Sequence, residues 1–420
     1  MKIKINHIAK IEGHASFLGE IIKGNTKEAQ LIVREGARLL EGILRGRNYD
    51  EVSQISARIC GVCPVVHTLT SLKAIEEAMR VKVSTLDEDL RRLMMLGQWI
   101  NSHSLHIFFF CLGDFFGQSD DLQLIKKYPK LTKKVLAIRE LGNQIVEIIG
   151  GRSIHPLTPT VGGFLNYPKK SQLIELSKKA EEVLPMAVEL ALIFNKIKYP
   201  KLDKKTNFAS LYNKKDYAIY DGKTRWFNHK ETKEMPVSQF MSRIQEFQVD
   251  YNQQTKRSHF ADFPYMVGAL ARLNNNHQFL NPRSKEILRK TKIKFPQNNP
   301  FYNVLAQAIE IVHCVEEAKK ILSQCHPERS EGSCCLPVGF LSAKMAARND
   351  KMGYGAIEAP RGTLFYFYEL SDTGVIKNCN IITPTEQNLA NLEEDLKIWL
   401  PDLEKLSDKK REMRIKMLVR

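Results

Sequence analysis

Two cysteines and a histidine stand close together in the stretch RICGVCPVVH, residues 58–67. Cys60, Cys63 and His67 are spaced i, i+3 and i+7, so a helix entered at Pro64 carries all three toward one side. Cys63, directly before that helix, meets free backbone N–H groups and the positive end of the helix dipole, which stabilise a thiolate, the ligand form of the residue. Three chemistries compete for such a set. A redox dithiol of thioredoxin type wants a βαβ context. A structural zinc site wants four ligands, and the chain has a single CxxC. The third is half of a thiolate-rich nickel or iron centre completed by residues elsewhere. Spacing alone leaves the three open.

The elements that must carry these residues are mostly helical. Residues 2–35 alternate apolar and polar types with a turn signal at Gly24-Asn25, which predicts a small antiparallel sheet. Beyond Pro64 a helix presents Val65, Leu69, Leu72, Ile75 and Met79. Thr85 with Glu88 reads as a capping box opening a long helix that reaches toward Asp114. A further helix runs from Thr132 to the Gly150-Gly151 stop, and residues 171–197 and 302–324 carry helical periods, with Pro185 expected to kink or split the former. YAIYDGKTRWF predicts a hairpin turning at Asp221-Gly222, and residues 363–383 are strand-rich. The expected fold class is α+β, mainly α, with a long central helix bundle and small antiparallel sheets near the N-terminus and in the C-terminal quarter. The expected organisation is one elaborate domain over 1–420: an N-terminal sheet region (1–56), a helical core (57–324), an inserted loop region (325–350) and a strand/helix region (351–420).

Composition excludes several classes. Of 420 residues, 43% are hydrophobic and 26% charged, with no apolar run long enough for a membrane span and no signal peptide at MKIKINHIAKIEGH, so a soluble cytoplasmic protein is expected. The 63 Lys and Arg against 47 Asp and Glu leave a net charge of +16, but the excess is spread along solvated faces such as KKYPKLTKK, and no nucleic-acid-binding signature accompanies it. Eight cysteines in a chain this long suggest no disulfide framework, and Cys111, Cys314 and Cys379 read as buried small hydrophobes. The segment CHPERSEGSCC (325–335) interrupts a helical pattern. Its Cys325, His326, Cys334 and Cys335 match no common zinc spacing, and it reads as a flexible surface insertion.

RICGVCPVVHTLTSLKAIEEAM resembles the N-terminal metal motif of the large (alpha) subunit of [NiFe] hydrogenases, especially the cytoplasmic group coupled to pyridine nucleotides or deazaflavin. Further matches follow in order: KIEGHA at 10–15, INSHSLHIFFF at 100–110, GGRSIHPLTPTVGGF at 150–164, YMVGALARLN at 265–274, GAIEAPRGTL at 355–364 and IITPTEQN at 381–388. The resemblance spans nearly the whole chain. It implies reversible heterolysis of H2 into a hydride and a proton at a Ni-Fe(CN)2CO centre, with electrons leaving through a separate iron–sulfur small subunit to diaphorase or deazaflavin-type subunits, and with maturation proteins as further partners. No nucleic acid and no membrane span belong to this picture.

The resemblance also assigns roles. Cys60 looks like the terminal thiolate on nickel and Cys63 like the thiolate bridging nickel and iron, while His67 is similar to the histidine that hydrogen-bonds a cysteine sulfur. Glu12 in KIEGH is similar to the glutamate at the mouth of the proton pathway, where burial can tune a carboxylate for relay. Glu41 in LLEGIL matches a glutamate that binds Mg2+, a hard cation suited to oxygen. Arg361 in EAPRG is similar to the arginine over the bimetallic site, and Thr385, after Pro384, to a hydrogen-bond donor to a cyanide ligand. His155 in SIHP fits its motif with structural support as its only implied role.

The sequence departs from the family in three places. Tyr366 stands where relatives often have histidine. The CHPERSEGSCC insertion lies upstream of the Arg361 loop. A second motif, DPCxxCxxH, which would supply two more thiolates and a histidine for Mg2+, is absent: it normally follows where the chain ends in REMRIKMLVR, so the chain is expected to be a truncated form. The alternative is a non-catalytic interaction subunit on the same fold, as on the quinone side of respiratory NADH dehydrogenase. Retained Cys60, Cys63 and Arg361 favour the enzyme, and the missing pair favours the alternative. The expected outcome is that the purified 420-residue polypeptide alone takes up no hydrogen; nickel-dependent H2 oxidation by it would refute this.

Overall fold

The computed structural model describes residues 1–11, 13–34, 37–118, 121–291, 293–324 and 351–420. In chain order the elements used below are strands β1 (Lys2–Ile8), β2 (His14–Ile22) and β3 (Asn25–Arg34); helices α1 (Ala37–Leu44), α2 (Tyr49–Ser56), α3 (Pro64–Met79), α4 (Thr85–Ser104), α5 (Pro129–Gly150) and α6 (Lys170–Asn195); strands β4 (Phe208–Tyr212), β5 (Lys223–Phe227), β6 (Thr232–Met235), β7 (Ile244–Val249) and β8 (Asn252–Phe260); helices α7 (Ala269–Asn276) and α8 (Asn303–Gln324); strands β9 (Met352–Ala359), β10 (Gly362–Leu370) and β11 (Ile376–Ile382); and helices α9 (Pro384–Leu403) and α10 (Asp408–Val419). The fold is α+β and mainly helical, with antiparallel sheets near both ends of the chain. Among the described residues no helix is long and apolar enough to cross a membrane.

The first sheet forms as its alternation demands: Ile3, Ile5 and Ile8 of β1, Ala15, Phe17 and Ile21 of β2, and Leu31 and Val33 of β3 face inward, and Lys23-Gly24 closes the β2–β3 hairpin. That face is covered by α9 and α10 through Leu389, Leu396, Trp399, Leu400 and Ile415. The Arg257 guanidinium of β8 locks sheet to helix, donating to Glu393 of α9 at 2.7 and 3.0 Å and to the Leu31 carbonyl at 2.8 Å. Residues 1–56 are not sheet alone, since they also include the helices α1 and α2.

The central bundle is α4, α5, α6 and α8 around one core. Gly97 and Gly142 bring α4 and α5 into backbone contact: a Cβ on Gly142 would lie 2.5 Å from the Gly97 carbonyl oxygen. Ser84, rather than Thr85, caps α4, its hydroxyl accepting from the Asp87 N–H at 3.2 Å. The helix continues past Ser104 as a π-helical segment, Leu105–Leu112.

Two local expectations fail for the same reason, that tertiary burial outweighs local signals. Pro185 does not split its helix; α6 is continuous, because burying Val183, Ala187, Leu190 and Ala191 against the bundle offsets a local cost of about 3 kcal/mol. Asp221-Gly222 is not a tight hairpin turn. β4 and β5 pair from Tyr212↔Lys223 outward, and the loop between them sends Tyr217, Ala218, Ile219 and Tyr220 into the interior. There Tyr217 donates to Glu310 at 2.6 Å, and Tyr220 accepts from Arg91 at 3.2 Å.

The three-stranded sheet β9-β10-β11 lies against α3. β9 crosses so close that a Cβ at Gly355 would sit 2.4 Å from the Thr70 carbonyl oxygen, and one at Gly353 only 1.9 Å from that of Ala74. α3 is accordingly buried on nearly every side, and its interior hydroxyls turn back on the backbone, Thr68 to the Pro64 carbonyl at 2.9 Å and Thr70 to the Val66 carbonyl at 2.7 Å. Gly355→Ala is therefore expected to cost about 1–3 kcal/mol by overpacking, read as a lower midpoint in chemical denaturation; a wild-type midpoint would contradict this contact.

Candidate metal centre

The backbone turns around Cys60 and Cys63 before α3 begins. Cys63 is the N-cap residue and Pro64 the first helical residue, where a missing N–H costs nothing. The Cys63 N–H donates to the Cys60 sulfur at 3.0 Å. The two Cα atoms are 5.4 Å apart with the sulfurs joined as a disulfide, so the dithiol form is the one open to a metal. Cys60 Sγ, Cys63 Sγ and a ring nitrogen of His67 lie within 4.8 Å of one another, the one such constellation of His, Cys, Asp and Glu among the described residues. Cys60 and His67 are buried and Cys63 half-buried, while Gly61 and Val62 at the tip of the loop are exposed. Cys111, Cys314 and Cys379 are free and buried away from this set.

Two neighbours hold the constellation from behind. Tyr366 of β10, fully buried, places its hydroxyl 2.8 Å from His67 Nδ1, and one helical turn on, Tyr368 meets Ser71 at 3.0 Å. Burial alone drives the His67 pKa down to about 3, so the ring is neutral. Burial, with Tyr368 beside it, pushes the Tyr366 phenol far above its ordinary value, so it keeps its proton. Gln98 of α4 accepts from the Val65 N–H at 2.7 Å, capping the first turn of α3. Because an N–H can only donate, this contact fixes the amide orientation. The Gln98 Nε2, buried, has no hydrogen-bond partner among the described residues.

Glu41 lies in a second cluster, whose charge Tyr366 feels. Its carboxylate accepts from the Ile381 N–H at 3.0 Å and stands 3.9 Å from Lys256 Nζ, which pairs with Glu246 at 2.7 Å. Burial raises the Glu41 pKa against these partners. Glu386, in the first turn of α9, is raised far more, by burial and then by Glu246, and its Oε1 has no hydrogen-bond partner among the described residues. Three carboxylates and one lysine thus share a small, largely dehydrated space.

Arg361 occupies the two-residue turn between β9 and β10, where Ala359 pairs with Gly362. Its carbonyl accepts from Asn388 at 3.4 Å. Gly362, at φ 146°, packs against Pro384 so closely that a Cβ would lie 3.2 Å from the proline Cβ. Thr385, half-buried, follows in the first turn of α9, capped by Thr383. The Arg361 charge is felt by His103, His106 and Cys111. Helix α4 is the shared wall: Gln98 touches the start of α3, and the next residue, Trp99, donates to the Glu358 carbonyl at 2.9 Å, three residues before Arg361. His155 Nδ1 donates to the Ala57 carbonyl at 2.9 Å, bracing the approach to Cys60. Glu12 and the 325–335 segment lie outside the described residues.

Sequence reasoning missed Gln98, Glu246, Glu386, Arg272 and Glu310. Nothing in a sequence separates a buried glutamine from an exposed one. The one available signal was the placement of charged residues within apolar helical periods, as for Glu310 in AQAIEIVHCV.

Comparisons with known proteins agree. A family model described as nickel-dependent hydrogenase matches residues 38–136. The alpha chain of sulfhydrogenase 1 from Pyrococcus furiosus is 32% identical over 405 residues, covering 95% of this chain and 90% of that protein. The corresponding chain of the vhu F420-non-reducing hydrogenase from Methanocaldococcus jannaschii is 30% identical over 418 residues, covering 94% and 97%. The crystal structure of an NAD+-reducing [NiFe]-hydrogenase in the H2-reduced state superposes with a TM-score of 0.86 at 23% identity, over 100% of this chain and 97% of that one. The likeness in sequence runs through the metal motif and nearly the full length, and the fold matches as well: the chain belongs to the large (alpha) subunit family of the nickel-dependent hydrogenases.

Proposed function

We propose that the chain is the hydrogen-activating large subunit of a cytoplasmic [NiFe] hydrogenase, which splits H2 reversibly and heterolytically and passes electrons to an iron–sulfur small subunit. The observation that carries this is the convergence of Cys60, Cys63 and His67 within 4.8 Å at the start of a buried helix. The donors present fit the group's thiolate chemistry, as half of the four-thiolate set the family resemblance implies. Soft thiolates suit nickel and low-valent iron, and Cys60 and His67 are buried. Bound there, a Ni-Fe(CN)2CO centre would supply the Lewis acidity that polarises H2.

The chain's own residues do the rest. Cys60, in the terminal role, and Cys63, in the bridging role, would hold the centre through their thiolates, the Cys63 thiolate helped by the helix N-terminus behind it. With the ring hydrogen on Nε2, His67 would accept at Nδ1 from the Tyr366 hydroxyl, 2.8 Å away, and would donate from Nε2 toward a cysteine sulfur. Arg361 presents a fixed cation from the neighbouring turn, with Pro384 and Thr385 beside it, Thr385 as a donor to a cyanide ligand. Glu12 takes the proton away. Glu41 holds Mg2+ through its carboxylate, and the crowding of Glu246 and Glu386 beside it is the electrostatic setting a divalent cation relieves. Maturation proteins load the centre. Among acceptors, the names of the relatives, NAD+-reducing and F420-non-reducing, support a pyridine-nucleotide diaphorase over a deazaflavin-type partner.

Metal binding tests this directly. The reduced chain is expected to bind one Ni2+ with a thiolate-to-metal absorption band, and Cys60→Ser with Cys63→Ser to abolish that band; a band surviving the double variant would sink the assignment. His67→Ala is expected to weaken nickel binding by about 10- to 100-fold, as losing an outer hydrogen-bond partner does, measured by competition with a chromogenic chelator. Unchanged affinity would remove His67 from the site.

A further inference from the structure

Beneath the Arg361 turn lies a buried ionic cluster that the roles above do not use. Its centre is Arg272, in α7, with no solvent exposure. A guanidinium has five N–H donors in a fixed plane, and here each one has an acceptor. Nε donates to Glu310 Oε1 at 2.7 Å, and Nη2 to Glu310 Oε2 at 2.8 Å and to the Pro360 carbonyl at 3.0 Å. Nη1 donates to Glu358 Oε2 at 3.0 Å and to the Ala359 carbonyl at 2.9 Å. The carboxylates are themselves tied down. Glu310 accepts from Tyr217 at 2.6 Å and pairs with His103 Nε2 at 2.9 Å, and Glu358 accepts from the Leu211 N–H at 2.6 Å and from Thr363 at 2.7 Å. Burial works against the Glu310 charge, yet Arg272 outweighs it and holds the pKa at about 2, so the ion pair is fully formed at neutral pH.

The two carbonyls are the telling contacts, since they belong to the residues directly before Arg361. Proline fixes φ at residue 360, so the remaining soft torsion there is ψ, and ψ sets where the Pro360 carbonyl points. Arg272 holds that carbonyl. The direction in which the Arg361 side chain leaves the two-residue turn is thereby fixed, from below by Arg272 and from the other side by Asn388 at the Arg361 carbonyl.

We infer that Arg272, braced by Glu310 and Glu358, is the positioning residue for Arg361: it clamps the Ala359 and Pro360 carbonyls and so aims the Arg361 cation at the metal centre. The inference rests on the reading of Arg361 as the cation of that centre.

Arg272→Lys keeps the charge but offers three mobile donors in place of the planar fork. Hydrogen exchange on the full chain is expected to rise about tenfold in peptides covering residues 357–364, with α3 and α8 unchanged. Wild-type exchange at the turn overturns the inference, and so does an equal rise throughout α8, which would make Arg272 a packing residue only. Glu358→Gln, which weakens a single acceptor, is expected to show the same local pattern to a smaller degree, and decides the matter if Arg272→Lys does not fold. In the assembled hydrogenase, Arg272→Lys should lower kcat with KM for H2 unchanged, and should add nothing in an Arg361→Lys background. Additive losses count against the clamp. If Arg361→Lys alone leaves H2 turnover intact, the catalytic reading of Arg361 falls while the exchange data still decide the clamp.

Discussion

The contact between α3 and strand β9 is the constraint on which the rest depends. Cys63 and His67 ride on α3, and Arg361 sits at the end of β9, so the distance between thiolates and cation is set by how closely strand and helix pack. Gly353 and Gly355 remove the side chains that would hold the two apart, and the β9 backbone lies against the carbonyls of Thr70 and Ala74. The close approach has a cost in chain entropy, since glycine loses more freedom on folding than any other residue. It also brings Tyr366 and Tyr368 over His67 and Ser71, two positions one helical turn apart, so the sheet reads the helix face by hydrogen bonds as well as by shape.

A nearly dry interior then puts a high cost on each unpaired polar group, and most of those near the site have a partner. Arg272 satisfies two carboxylates and two carbonyls at once, and Arg91 does similar work elsewhere, donating to both oxygens of Glu76 and to the Thr160 carbonyl. Such buried ion pairs add little net stability over apolar packing, but breaking one leaves an uncompensated charge that costs about 3–5 kcal/mol. Their value here lies in geometry. A planar guanidinium with five partners allows one arrangement of the chain around it, and a turn held that way can keep a side chain aimed while chemistry proceeds.

The same dehydration tunes the acid–base character of the site. His67 is neutral because a buried imidazolium is costly, and Tyr366 is protonated because a buried phenolate is costly too. Glu41, Glu246 and Glu386 crowd around Lys256, which leaves negative charge there poorly compensated.

The sequence by itself determined the family, the cysteine pair, the helix that begins at Pro64 and the mainly helical class, because these depend on residue type, spacing and periodicity, which are local properties of the chain. A split at Pro185 and a tight turn at Asp221-Gly222, both suggested by strong local signals, do not occur, since burial offered the larger gain. The sequence was silent on Gln98, Arg272, Glu310 and the roles of Gly353 and Gly355. Those depend on which distant backbone comes within about 3 Å, the range where a hydrogen bond forms or a Cβ clashes. Only the tertiary structure decides such approaches, since they follow from packing summed over the whole core and leave no period or motif in the residues that make them.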